Sequence, residues 1–196
     1  ALKTIKNKIP LFVDKPFTVD SIEAKKLIDE SINNKLKVMS SSPLRFCDEI
    51  IDLKKILINQ NSNLLTINIT VPADCNDLGN DPRLDSVFFY GIHGIEMLFE
   101  LIGDEIIEHE IYFSNSKIDL ILKTPDKKTH SLSLIYGASE FYDIDVYFKS
   151  YNIKKSVKLD SSYYKKTLKF IIDDFLNGSR SVSLQSTYNS IFLLEK

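Results

Sequence analysis

The residue best placed for proton-transfer chemistry is His93, in the segment Tyr90–Leu98. Gly91 and Gly94 flank it, and they allow the backbone to approach a ligand closely or to take unusual dihedral angles. The segment begins a predicted helix, and a helix amino terminus favours the neutral imidazole over the charged one, which suits acid/base work near neutral pH. A histidine in this place can equally cap the helix or pack in the core.

A second candidate is Lys15, which stands between a short apolar strand and Pro16. In open α/β sheets, ligands bind at the carboxyl ends of the strands, where a lysine could polarise a substrate oxygen. Asp14 and Glu96 could support Lys15 and His93, although an ordinary surface carboxylate is the simpler interpretation of each. Most loop lysines are simply solvated, so Lys15 alone does not decide the matter.

The other histidines and the cysteines predict no further site. His109 and His130 fall in predicted strands or at their edges, away from other polar candidates, and are interpreted as ordinary strand residues. Cys47 and Cys75 lack metal-ligand spacing and are too few for a disulfide framework, so no metal site is predicted. The sequence also contains no glycine-rich phosphate loop and no G-x-G-x-x-G dinucleotide fingerprint.

The elements that would hold Lys15 form a strand–helix–strand unit. A short apolar strand over 9–14 ends before the following proline, which cannot donate to a strand ladder. A helix follows, begun by capping-box spacing at 20–23 and stopped by two asparagines at 33–34. A second strand over 38–42 completes the unit, and its two strands should be parallel. The residues expected to face the core from the helix are Ala24, Leu27, Ile28 and Ile32.

From residue 47 onward the pattern indicates helices around a large sheet. Helical spacing predicts a helix after Phe46, alternation predicts a strand over 65–71, and the His93 helix should run from 92 to about 102. Further strands are predicted over 110–113, 117–123, 131–136 and 143–148, and closing helices over about 162–177 and 184–194. Strands in short succession favour an antiparallel sheet. The predicted fold class is therefore α+β, with an open, mainly antiparallel sheet covered by helices on one face.

The apolar pattern of the strands predicts that the second face of this sheet is covered by a partner. Several strands carry apolar residues at both parities, for example Ile118, Leu120 and Ile121. A half-solvated strand would alternate, so we expect both faces to be buried. Few helices remain to cover the second face, and a second copy of the chain is the simplest cover, which predicts a homodimer.

Composition excludes several classes of protein. The 196 residues carry 25 basic and 27 acidic side chains, a net charge of −2, so there is no electrostatic basis for a nucleic-acid or membrane-surface partner. No apolar run approaches the ~20 residues that span a bilayer. With 43% hydrophobic residues the chain can form a core, and two cysteines fit a reducing compartment. We therefore expect a cytoplasmic protein.

Together these segments resemble the glucose-fructose oxidoreductase/inositol dehydrogenase/MocA (Gfo/Idh/MocA) family of NAD(P)-dependent oxidoreductases. Phe12–Pro16 looks like the family's Glu-Lys-Pro strand end, with Asp14 in place of Glu, and Ser42–Phe46 is similar to its strand followed by an Arg-Phe or Arg-Tyr pair. Gly91–Leu98 is similar to the family's Gly-x-His-x-x-Asp-x-Leu helix, with Glu96 in place of Asp. The helix over 21–34 and the two closing helices over 163–178 and 182–194 also look like helices of the family, so the similarity covers nearly the whole chain.

The resemblance implies a domain organisation and a cofactor. Residues 1–46 would be the last βαβ piece of a Rossmann-like dinucleotide-binding domain, and residues 47–196 a carboxyl-terminal α/β domain for substrate binding and oligomerisation. The family's glycine fingerprint precedes the matched part. NAD or NADP is therefore implied for the intact parent, with a sugar-like or polyol substrate, while no cofactor is expected on this chain.

The resemblance also implies roles for single residues. Lys15 would be catalytic and would contact the substrate hydroxyl and the nicotinamide ribose, with Pro16 also at the cofactor. His93 would exchange the carbinol proton, and Arg45 and Tyr90 would contact the substrate. The chemistry agrees, because hydride removal from an alcohol needs a base for the hydroxyl proton and a cation for the oxygen.

One departure from the family pattern leaves two functions open. Many members carry an Asp four residues before the histidine, where this sequence has Phe89. The chain is therefore expected to be either part of a dehydrogenase, inactive by itself, or a non-catalytic binding and dimerisation module derived from that family.

Overall fold

The computed structural model describes residues 1–73, 86–138, 141–179 and 181–196. In these ranges the chain forms one two-stranded and one six-stranded sheet with helices packed against them. Cys75 lies outside the described residues. None of the helices in the described ranges is both long enough and apolar enough to cross a membrane.

The first part of the chain is the predicted strand–helix–strand unit, preceded by a short helix. Its elements are α1 (Leu2–Lys6), β1 (Leu11–Val13), α2 (Ser21–Asn33) and β2 (Val38–Ser40). The two strands pair in parallel, with Leu11 opposite Val38 and Val13 opposite Ser40. The peptide bond between Lys15 and Pro16, just after β1, is cis.

Helix α2 begins and ends where the sequence predicts, at the Asp20 cap and at Asn33–Asn34. The Asp20 carboxylate accepts a hydrogen bond from the Glu23 N–H at 2.7 Å, which satisfies a free donor of the first turn. At the other end Asn34 keeps φ −88° and Lys35 takes φ +52°. The expectation for Ile32 is wrong, since it is 59% exposed while Ser31 is buried. At 3.6 residues per turn, Ser31 lies about 20° around the helix from Ala24, whereas Ile32 lies about 80° away and so leaves the buried face.

The rest of the chain alternates helices with a run of strands. After a 3₁₀ turn over Pro43–Phe46 come α3 (Asp48–Gln60), β3 (Leu64–Pro72), α4 (Ser86–Phe89), α5 (Gly91–Ile102), β4 (Glu108–Phe113), β5 (Lys117–Lys123), β6 (Thr129–Ile135), β7 (Phe141–Phe148), β8 (Asn152–Lys158), α6 (Ser161–Asn177) and α7 (Leu184–Leu194). Gly103 ends α5 with φ +84°, a conformation that glycine adopts without strain.

The strand order in the large sheet is β4-β5-β6-β3-β7-β8. Strand β3 lies parallel to β6, and every other neighbouring pair is antiparallel, which confirms the α+β class and the mainly antiparallel sheet. Helix α5 packs directly on β3 and β6. A Cβ atom at Gly94 would lie 2.4 Å from Leu132 Cδ1 and 2.8 Å from Val71 Cγ1, so any larger residue here would displace these two buried side chains.

Burial of both sheet faces stays a prediction, because it depends on a second copy of the chain, but the second face is more polar than the sequence pattern indicated. Along β6, His130, Leu132 and Leu134 are buried in the chain. The alternate residues are polar: Ser131 donates to Asn68 at 2.9 Å and Ser133 to Asp119 at 2.6 Å. Further polar pairs on this face join Ser156 to Asp143 and Lys154 to Asp145. The strands therefore alternate between buried apolar residues and mainly polar ones. Only a few apolar residues, such as Ile121 and Ile135, lie on the polar face, and they account for the apolar residues at both parities in the sequence.

Candidate active site

His93 occupies the first turn of α5 and is completely buried, with 0% of its surface exposed. Its Nδ1 atom lies 2.6 Å from Ser42 Oγ, and its ring packs edge-on against Tyr142 with centroids 5.4 Å apart. The other ring nitrogen, Nε2, has no hydrogen-bond partner among the described residues. An unpartnered buried ring nitrogen is costly unless something else binds it, so His93 Nε2 is a polar atom that the described residues leave unsatisfied.

Burial keeps His93 neutral. Loss of solvation, with a smaller contribution from the charge of Lys15, holds the pKa of His93 well below its ordinary value. The sequence predicted a neutral imidazole from its position at a helix terminus, whereas the structure assigns the main effect to burial. A neutral imidazole has one nitrogen that donates and one that accepts.

Lys15 lies at the carboxyl end of β1, as predicted. Its amine donates to the carbonyl oxygen of Phe89 at 3.0 Å and lies 3.5 Å from the centroid of the Phe89 ring. Phe89 ends α4, immediately before the turn that leads into the His93 helix. The fold thus brings Lys15 to the segment that carries His93, close enough for its charge to act on the imidazole.

A cavity of about 670 Å³ opens beside Lys15. Pro16, Phe17, Phe89 and Tyr164 contribute apolar walls, and Asp14 adds a carboxylate at the rim. His93 is buried and is not part of this lining. Asp14, Lys15 and Pro16 therefore line one cavity. His93 is linked to it indirectly, because Lys15 contacts Phe89 in the segment before the His93 helix and its charge acts on the imidazole.

Glu96 connects the helix of His93 to the turn that follows β2. It lies one turn after His93 on α5 and is only 2% exposed. Its Oε2 atom accepts from the Ser42 N–H at 2.7 Å, from Ser41 Oγ at 3.1 Å and from Arg45 Nε at 3.2 Å. Glu96 is thus a buried carboxylate that holds the residue bonded to His93, which matches the supporting role considered from the sequence.

Arg45, expected to contact the substrate, is instead buried in a network of ion pairs and hydrogen bonds. It is 3% exposed and bonds to Glu96, to Glu100 Oε2 at 3.1 Å and to Ser186 Oγ at 3.0 Å. Its guanidinium is committed inside the protein and does not line the Lys15 cavity. Local sequence gives no sign of these contacts, because the partners of Arg45 lie far along the chain, on α5 and α7.

Tyr90 and Ser42 complete the surroundings of His93. The Tyr90 carbonyl accepts from the His93 N–H at 3.0 Å, and its ring lies edge-on to Phe89 with centroids 5.1 Å apart. Ser42 was part of the motif Ser42–Phe46, yet its contact with His93 was not predicted. The available signal was a run of three serines over 40–42, at the end of the predicted strand that is parallel to the one before Lys15.

Comparisons with known proteins give structural matches only. No protein-family model matches the sequence, and no curated protein sequence matches it significantly. An oxidoreductase from Thermotoga maritima superposes with a TM-score of 0.75 at 14% identity, over 99% of this chain and 69% of that one. An aldose-aldose oxidoreductase from Caulobacter crescentus, complexed with glycerol, gives 0.76 at 12% identity over 98% and 70%. An Agrobacterium radiobacter oxidoreductase in complex with NAD⁺, L-tartaric acid and magnesium gives 0.74 at 16% identity over 98% and 70%.

This chain therefore has the fold that makes up about 70% of each of these oxidoreductase structures. The similarity spans nearly all of this chain and about 70% of each of these structures, which confirms the fold that the sequence resemblance implied. At 12–16% identity it concerns the fold, and the function follows from the site itself.

The described residues around Lys15 suit the nicotinamide end of a dinucleotide better than its pyrophosphate. The apolar walls of the Lys15 cavity suit a flat, weakly polar ring, and the unpartnered His93 Nε2 suits a substrate oxygen nearby. The pyrophosphate, in contrast, has no glycine fingerprint to hold it anywhere in the sequence.

Proposed function

We propose that this chain is the carboxyl-terminal part of an NAD(P)-dependent oxidoreductase of the Gfo/Idh/MocA family, acting on a sugar-like or polyol substrate and inactive by itself. Residues 1–46 are the end of its dinucleotide-binding domain, and residues 47–196 form its substrate domain. The observation that carries the proposal is the neutral, fully buried His93 with a free Nε2 atom, next to the cationic Lys15.

The chemistry of these two side chains suits an alcohol–carbonyl interconversion. The bound nicotinamide supplies or accepts the hydride. His93 Nε2 is the ring atom available to exchange the proton of the substrate hydroxyl. The Lys15 ammonium stabilises negative charge on the same oxygen, which is most effective in a site that excludes water. Neutrality at physiological pH is what such an imidazole requires, and burial supplies it.

The remaining residues take supporting places in this proposal. Pro16 lies in the Lys15 cavity and contacts the cofactor, and Tyr90 contacts the substrate. Arg45 instead anchors Glu96 inside the fold. A homodimer forms across the second sheet face, and the protein is cytoplasmic.

A non-catalytic binding and dimerisation module is the second candidate. Its support is Phe89, whose ring and carbonyl both engage the Lys15 amine at the position where many family members have Asp. In such a module Lys15 and His93 would be remnants of an ancestral active site.

Dinucleotide-linked turnover separates the two candidates. The polypeptide that contains this chain and its dinucleotide-binding domain is assayed for NAD⁺ and NADP⁺ reduction over a panel of sugars and polyols. The dehydrogenase proposal expects turnover with at least one of them. Dinucleotide binding without turnover on any member, or on the corresponding ketones in reverse, would support the non-catalytic module.

The isolated chain gives a second test. Because residues that hold the pyrophosphate are missing from the sequence of residues 1–196, calorimetric titration should show no appreciable binding of NAD(H) or NADP(H). Micromolar affinity would contradict the proposed division of the protein.

A further inference from the structure

The hydroxyl of Ser42 lies between a donor and a ring nitrogen. Ser42 Oγ accepts from the Leu44 N–H at 3.1 Å and lies 2.6 Å from His93 Nδ1. The Leu44 amide can only donate, so it uses a lone pair of Oγ and leaves the hydroxyl hydrogen to be placed. Ser42 is 0% exposed, which removes bulk water as an acceptor. In the described part of the chain, His93 Nδ1 is the only acceptor within hydrogen-bond distance of this hydroxyl.

The backbone of Ser42 is fixed relative to the imidazole. Its N–H donates to Glu96 Oε2 at 2.7 Å, and Glu96 lies one turn after His93 on the same helix. Arg45 and Ser41 hold the same carboxylate oxygen. Ser42 Oγ and His93 Nδ1 are therefore held by one rigid unit rather than by a flexible loop, and their short distance is part of the fold.

From this geometry we propose that Ser42 sets the tautomer of His93: its hydroxyl donates to Nδ1, and the single ring proton rests on Nε2. The proposed arrangement leaves one buried group without a partner among the described residues, the Nε2–H. The opposite arrangement, in which Nδ1–H donates to Ser42 Oγ, would leave two, the Ser42 hydroxyl hydrogen and the Nε2 lone pair. An unpaired buried donor loses its solvation and gains nothing in return. Ser42 is thus a positioning residue that acts through His93.

The tautomer gives the site a preferred substrate form. With its proton on Nε2, His93 donates a hydrogen bond to an oxygen in the site and so polarises a carbonyl beside Lys15. To accept the proton of an alcohol, His93 must present an Nε2 lone pair, which requires Ser42 to reverse its bond with Nδ1. The resting site is set for the carbonyl form of the substrate. This consequence rests on the proposed function, whereas the tautomer itself does not.

Nitrogen NMR measures the tautomer directly. In the ¹⁵N-labelled chain at neutral pH, long-range ¹H–¹⁵N correlations distinguish a protonated ring nitrogen from one with a free lone pair, and His93→Gln assigns the signals. We expect protonated Nε2 and unprotonated Nδ1. Ser42→Ala should shift Nδ1 and move the ring towards a mixture of tautomers. The control Ser41→Ala removes the neighbouring hydroxyl from Glu96 without touching His93, and should leave the ring signals unchanged.

Two results would overturn the inference: a proton on Nδ1 in the wild-type chain, or a Ser42→Ala spectrum identical to the wild type. The wild-type measurement decides even where the Ser42 variant fails to fold. The readout needs neither cofactor nor substrate. The expected tautomer in a protein without turnover would refute the proposed function alone, and a proton on Nδ1 in an active protein would refute the role of Ser42 alone.

Discussion

The amine of Lys15 lies 3.5 Å from the centre of the Phe89 ring and donates to the carbonyl oxygen of the same residue. A cation over an aromatic face is attracted by about 0.5–2 kcal/mol, depending on its solvation. Phe89 therefore holds Lys15 in place without adding a negative charge to the site.

Phe89→Leu tests this contact, because it keeps the carbonyl and removes the ring. In the wild-type chain the Lys15 Hε protons should resonate upfield, shielded by the ring face, and in Phe89→Leu they should return to ordinary lysine positions. Phe141→Leu is the control. The Lys158 amine is 5.9 Å from the Phe141 ring, so removal of this ring should change the Lys158 Hε shifts much less. Unshielded Lys15 protons in the wild type would show that the ring does not cover the amine.

The buried pair of Arg45 and Glu96 predicts a large loss of stability on mutation. Arg45→Met leaves the Glu96 carboxylate buried without its cation, which costs about 3–5 kcal/mol of unfolding free energy. Urea denaturation measures it. The control Asp29→Asn removes a 3.7 Å ion pair with Lys25 whose side chains are both more than half exposed, and it should cost less than about 1 kcal/mol. Equal losses in the two variants would contradict a structural role for Arg45.

His130 predicts a loss of stability in acid. It is 2% exposed, its Nδ1 accepts from the Ile67 N–H at 3.0 Å, and burial lowers its pKa to about 4. An unfolded histidine binds a proton below pH ~6.5, so the unfolding free energy should fall between pH ~6.5 and about 4, by up to about 3 kcal/mol from this residue. Buried His93, whose pKa is also lowered, acts in the same direction.

Urea denaturation at several pH values separates these contributions. His130→Gln should weaken the pH dependence by the share of one histidine, while costing stability at pH 7 if the Ile67 N–H loses its acceptor. His109→Gln, at an exposed position of β4, should leave the dependence as in the wild type. An unchanged slope in His130→Gln would show that His130 does not titrate between these limits.

Local sequence signals predicted most of the backbone. The bounds of β5 and α7 agree with the structure to the residue, and the capping carboxylate of Asp20 was identified from spacing alone. These features depend on neighbours within a few positions. The insertion of β3 between β6 and β7 depends on pairing between strands distant in sequence, and no local pattern encodes it.

The candidate site was predictable only in part for the same reason. Lys15 and His93 were found from residue type and flanking sequence. The burial of His93, its bond to Ser42 and the commitment of Arg45 to Glu96 and Glu100 are tertiary contacts. An arginine beside a predicted site is equally compatible with substrate binding and with a buried ion pair until its partners are known.

The most direct test of the central claim is the turnover of His93→Ala in the intact oxidoreductase, measured at saturating dinucleotide and substrate beside Lys15→Ala. If the two side chains act on the same substrate oxygen, each substitution should lower kcat by ~10²–10⁴-fold. The control Lys8→Ala, outside the lining of the Lys15 cavity, should retain wild-type kcat. Wild-type turnover in His93→Ala would contradict the account, because it would remove the buried imidazole from the chemistry.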